Sequence, residues 1–246
     1  MDCVSGYSSQ EALPMDEKDI SNSAPNKNIF NESGDTALIY VIKEKKEHIA
    51  LKMLKDVEEY HIDEVDKKSC TALICACINK MQTVALKILE YPEMCNIGQQ
   101  DIDGNTALIY ACQKNLHSVA LKILEHPELC NIGQINKNGN TALIWSCINR
   151  MEPVAFTLLE HPELCNMGHI NKSGSIALKY ACENSMARVS LELLEHPESC
   201  NIGTIDKNGN TALMYAMDSD ENDDYNNPMD LVIIRILQIT CINPRK

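Results

Sequence analysis

The sequence predicts an all-α solenoid of stacked helix-turn-helix repeats, and three observations lead there. The triplet Thr-Ala-Leu begins at Thr36, Thr71, Thr106, Thr141 and Thr211, and one further copy is written Ile176-Ala177-Leu178, so the pattern returns every 35 residues. A fixed period of about 20 to 50 residues marks a stacked-repeat architecture. Within one unit, Leu108, Ala111 and Cys112 share a helical face, and Val119, Ala120, Ile123 and Leu124 do so again. Asn115 stands between the two runs, where a residue that tolerates a left-handed backbone can end the first helix. Helices this short fall below the roughly 12 to 15 residues needed for stability in water, so each copy depends on its neighbours.

Taken in order, residues 1–28 are rich in Ser, Asn and Pro without apolar period and read as a disordered tail. Residues 29–239 hold the six copies. The first is the least faithful, with Val57 where later copies have proline, and its charged run from Lys43 to Ile49 suits an N-terminal cap. The copies from Asp66 to Ile205 are the regular middle. The sixth carries eight extra residues within an acidic insertion, 218–228, before a last helix expected from Met229 to Ile239 that closes the stack. Residues 240–246 form a short tail.

The run Asp101-Ile102-Asp103-Gly104-Asn105-Thr106-Ala107-Leu108-Ile109-Tyr110-Ala111 resembles the ankyrin-repeat hallmark, and residues 206–216 repeat it. The resemblance implies an ankyrin-type α-solenoid with short β-turn fingertips. The chain departs from that family in three ways. Alanine replaces the usual proline, and Ile39, Ile74, Ile109, Ile144, Lys179 or Met214 replaces the histidine. Lys45, Lys80, Asn115, Arg150 and Ser185 replace the inter-helix glycine. A loop of the form His126-Pro127-Glu128-Leu129-Cys130-Asn131-Ile132-Gly133 lengthens the unit beyond the family's period of about 33. With its abundant Asn, Ile and Lys, the chain is similar to ankyrin-repeat proteins of giant DNA viruses.

The composition limits what such a scaffold does. A net charge of −13 opposes nonspecific binding to nucleic acid or anionic membranes, and a basic or apolar protein surface is the expected partner. No segment reaches the roughly 18 apolar residues of a membrane span, and the N-terminus lacks a signal-peptide pattern, so an intracellular, cytoplasmic, monomeric protein is expected, in the host cytoplasm if viral. Eight of the twelve cysteines lie on two ladders, Cys77, Cys112, Cys147, Cys182 and Cys95, Cys130, Cys165, Cys200, and read as small buried hydrophobes. Zinc spacing of the CxxC kind is missing, and Asp218, Asp220 and Asn222 match only the start of a calcium loop. His126, His161 and His196 each precede proline and read as a loop signature. No nucleophile, acid and base group together, so neither an enzyme nor a cofactor is expected, and no metal site.

One ladder points to recognition. Tyr40, Tyr110, Trp145, Tyr180 and Tyr215 share a position on the flank of the first helix, with Cys75 in the second copy. In the family this flank and the fingertips line the concave binding face, so the resemblance implies an aromatic binding strip; lateral packing between first helices is the alternative reading. The fingertip residues Ile102, Asp103, Lys137, Asn138, Lys172 and Lys207 vary from copy to copy and complete the expected surface. The expected function is noncovalent binding of a protein partner of unknown identity, with substrate recruitment for a host ubiquitin ligase as the alternative.

Overall fold

The computed structural model describes residues 31–218 and 227–242. The expected disordered tail and all but the edges of the acidic insertion lie outside these residues. Twelve helices are described, in six pairs: α1 Ala37–Lys43 with α2 Glu47–Met53, α3 Ala72–Ile78 with α4 Gln82–Ile88, α5 Ala107–Gln113 with α6 His117–Leu124, α7 Ala142–Ile148 with α8 Glu152–Leu159, α9 Ala177–Glu183 with α10 Ala187–Leu194, and α11 Ala212–Asp218 with α12 Pro228–Ile242. Among the described residues there is no strand beyond an isolated bridge between Val65 and Thr71. No described helix is long and apolar enough to cross a membrane.

The local chemistry of each pair follows the sequence. Thr36, Thr71, Thr106 and Thr141 cap the first helices, their hydroxyls accepting the backbone N–H three residues on at 3.2–3.3 Å. Ile176 has no such side-chain bond. The inter-helix residues Lys45, Lys80, Asn115, Arg150 and Ser185 all adopt left-handed backbone, φ 55–61°. Asparagine tolerates that region, whereas Lys, Arg and Ser disfavour it, so the turns at Lys45, Lys80, Arg150 and Ser185 carry strain that glycine would lack.

First helices pack on first helices and second helices on second helices, giving two layers with one continuous core between them. The ladder cysteines, with Leu108, Ile109, Val119 and Ile123, are at 0–1% exposure, and the same holds for their equivalents in the inner copies except Lys179, which stands at the Ile109 position at 8%. Burial pushes the thiols of Cys77, Cys147 and Cys182 up to about 12 and raises that of Cys112 as well.

The long loop is a stacking device. Asn131, Asn166 and Asn201, themselves left-handed, donate from Nδ2 to the carbonyls of Gly98, Gly133 and Gly168 in the preceding copy at 2.7–2.8 Å. The approach is close enough that a Cβ on Gly133 would lie 2.1 Å from the Leu164 carbonyl oxygen. Asn149 and Asn184 add bonds to the carbonyls of Cys112 and Cys147 across two of the same interfaces.

The last pair differs from the expected cap. Its helix runs on to Ile242, and Met214, Met217, Leu231, Ile234 and Leu237 are all exposed. Met214 and Met217 occupy the positions that inner copies bury against the next first helix, so this end keeps the apolar character of a stacking face.

Candidate protein-binding face

Each fingertip is built on an Asp or Asn whose Oδ1 accepts two backbone N–H groups. Asp101 accepts from Asp103 and Asn105 at 2.9 and 2.8 Å, and Asp66, Asn136, Asn171 and Asp206 do the same in their copies. A residue with positive φ then turns the chain, a glycine in every copy but the second, where Ser69 takes φ 59°; a Cβ on Gly139 (φ 76°) would sit 2.9 Å from the Asn171 Cα. Successive tips are tied by one backbone bond each: Lys67 to Ser33, Ile102 to Lys68, Lys137 to Asp103, Lys172 to Asn138 and Lys207 to Ser173, at 2.8–3.3 Å. The tips therefore form a ridge whose spacing is fixed by hydrogen bonds, with the residue at each tip free to vary.

The structure divides the sequence-predicted site into two layers. Ile102, Asp103, Lys137, Asn138, Lys172 and Lys207 stand exposed on the ridge, with Lys67 and Lys68 continuing it. Tyr40, Tyr110, Trp145, Tyr180 and Tyr215 lie half-buried beneath, packed against the core. Tyr110 donates its hydroxyl to Asp101 Oδ2 at 2.6 Å, and Tyr215 to Asp206 Oδ2 at 2.7 Å. Burial and the adjoining carboxylate raise the Tyr110 pKa, while the Tyr215 hydrogen bond holds Asp206 below the usual carboxylate range. Tyr180 only accepts, from Asn171 Nδ2 at 3.4 Å. Lys179 Nζ sits 4.3 and 4.2 Å over the Tyr180 and Tyr215 rings, joining two copies by cation–π contact. The Trp145 Nε1 atom is buried with no hydrogen-bond partner among the described residues. The rings thus brace the ridge from below, and lateral packing accounts for much of their placement.

Charge on the ridge runs against the charge of the chain. Lys67, Lys68, Lys137, Lys172 and Lys207 are exposed there against two acids, Glu32 on the first tip and Asp103 on the third, and Lys137 pairs with Asp103 at 3.3 Å. Exposed glutamates gather instead on the long loops, at Glu90, Glu93, Glu125, Glu128, Glu160, Glu163, Glu195 and Glu198. Clefts of 520 and 390 Å³ open between successive loops of this kind, and since they recur at the period of the stack they follow from loop shape.

The second copy breaks the pattern in a way that sequence reasoning missed. Where other copies place Asn105 and Tyr110 beside Asp101, it places Cys70 and Cys75 beside Asp66, all three buried, with one ligating atom of each within 4.8 Å of the others. Lys43, from the copy before, donates to Asp35 and to Asp66, the latter at 2.7 Å. Burial opposes the charges on Lys43 and Asp66, but their hydrogen bonds outweigh it, raising the first pKa and lowering the second. The only available signal was that Cys70 and Cys75 lie off both cysteine ladders.

Residues 85–166 match the family of ankyrin repeats in its three-copy form. The fold is an ankyrin-type α-solenoid. The ankyrin repeat domain of Bcl-3, a member of the IkappaB family, is 21% identical with a TM-score of 0.59, covering 83% of this chain and 87% of that one. A chain from the complex of the Bd0816 predatory endopeptidase of Bdellovibrio bacteriovorus with the immunity protein Bd3460 is 16% identical with a TM-score of 0.58, covering 85% of this chain and 98% of its own. At these identities the likeness of the ankyrin solenoids is one of fold. No curated protein matches the sequence.

Proposed function

We propose that this ankyrin solenoid is a non-catalytic binding module that takes an acidic segment of a partner protein along its fingertip ridge. The observation that carries the reading is the row of exposed lysines, one or two in four of the five tips from Lys67 to Lys207, on a chain whose net charge is −13. A row of like charge on a surface of the opposite sign selects a partner by electrostatic complementarity and speeds encounter. Because the tips are already hydrogen-bonded into position, little ordering entropy remains to be lost on binding. The half-buried aromatic edges of Tyr110, Trp145 and Tyr180 add contact area where the partner reaches the first helices. This reading revises the expectation of a basic partner, which followed from net charge alone. On the resemblance to giant-virus ankyrin proteins, the encounter takes place in the host cytoplasm.

The test is quantitative affinity capture from a host lysate with wild type and a Lys68→Ala, Lys137→Ala, Lys172→Ala, Lys207→Ala variant, at two salt concentrations. The variant melts like wild type, because all four side chains are exposed, and loses proteins that wild type retains only at low salt. Equal capture by both sinks the ridge. Copurifying ubiquitin-ligase subunits replace simple binding by the adaptor role.

A further inference from the structure

We infer that Asp66, Cys70 and Cys75 form a binding site for a thiophilic divalent cation of the Zn²⁺ class, with three protein ligands and a fourth position open to water. A tetrahedral ion with Zn–S about 2.3 Å and Zn–O about 2.0–2.2 Å sets its ligand atoms about 3.6–3.8 Å apart. The three groups lie within 4.8 Å of one another without any ion, so a contraction of about 1 Å closes the site. Side-chain rotation supplies it, since Cys70 is held by a long bond, 3.8 Å, to the Lys68 carbonyl and by a thiol–thiol contact with Cys75 that already draws the two sulfurs together.

The charge balance favours occupancy. Two thiols that lose their protons to solvent add two negative charges, and the divalent ion cancels them. The buried region thus keeps the net charge it already has from Asp35, Asp66 and Lys43. Lys43 orients the Asp66 carboxylate and keeps it ionised, the task that a hydrogen-bonding group behind a metal ligand performs. Asp66 Oδ1 is already fixed by the Lys68 and Cys70 amides, so the carboxylate needs no reorganisation.

The site belongs to one copy only. The ladder cysteines are explained by repetition and packing, whereas Cys70 and Cys75 replace an Asn and a Tyr and converge on one carboxylate.

The experiment titrates the full chain, reduced and metal-free, with Co²⁺. Cys3 and Cys241 are replaced by serine, since Cys241 is exposed and Cys3 lies outside the described residues. The expected result is a 1:1 complex with thiolate-to-cobalt absorption and a tetrahedral visible band, displaced by Zn²⁺. Cys70→Ser and Cys75→Ser each abolish it, and Cys112→Ser leaves it unchanged. Asp66→Asn is the decisive variant, because Asn136 and Asn171 hold the same loop in other copies and the fold tolerates it. It weakens Co²⁺ binding at least tenfold while the protein stays folded by circular dichroism. Lack of the band in the folded background protein overturns the site, as does a band that survives loss of both cysteines; an unchanged affinity in Asp66→Asn removes the carboxylate from it.

Discussion

Alkaline pH should unfold this protein unusually early, and the buried cysteine ladder sets the scale. Cys77, Cys112, Cys147 and Cys182 have an ordinary thiol pKa of 9.0; burial in the folded chain pushes Cys77, Cys147 and Cys182 up to about 12 and raises Cys112 in the same way. Above pH 9 the unfolded chain sheds protons that the folded one keeps, so the unfolded state binds fewer and stability falls as pH rises. At pH 10 ionisation favours each unfolded thiol by about 1.4 kcal/mol, against about 0.4 at pH 9. The four thiols together remove about 4 kcal/mol over that unit, a large share of a typical stability of about 5–15 kcal/mol. Cys95, Cys130, Cys165 and Cys200, raised to about 11–12 by burial, act in the same sense. Urea unfolding followed by circular dichroism in reductant, between pH 8 and 10, measures the slope before most tyrosine and lysine titration sets in. Replacing the four helix cysteines by alanine should roughly halve it. A wild-type loss below about 1 kcal/mol from pH 9 to 10, or a full slope in the variant, would refute the argument that these thiols stay protonated by burial.

Three other outcomes follow from the geometry. Gly133→Ala should cost about 2 kcal/mol or more, since the Leu164 carbonyl leaves its Cβ no room, while Gly209→Ala meets nothing within 4 Å and should cost only the roughly 1 kcal/mol of its left-handed backbone; thermal melting separates them. Tyr110→Phe removes a donor to a buried carboxylate and should cost about 1.5–3 kcal/mol, whereas Tyr180→Phe loses one long bond to an amide and should cost under about 1 kcal/mol in denaturant titration. Thr106→Ala should lower stability by about 1 kcal/mol through the lost cap, and hydrogen exchange should show the first turn of α5 opening more often.

The period, the helix pairs and the turns between them were legible in the sequence because each depends on residues within one or two helical turns. Thr106 caps the helix it precedes, Asn115 turns where the apolar run ends, and the ladder cysteines fall on the core face that their spacing marks. The exposed fingertips followed from the same local pattern. What the sequence left open lies mostly between copies. The bond from Asn131 to Gly98, the lysine row standing against an acidic chain, and the meeting of Lys43 with Asp66 join residues more than 20 positions apart. A period of 35 residues says that equivalent positions are stacked, but not which side chains cross the gap. That is decided by the offset and rotation between packed pairs, which only the tertiary structure contains.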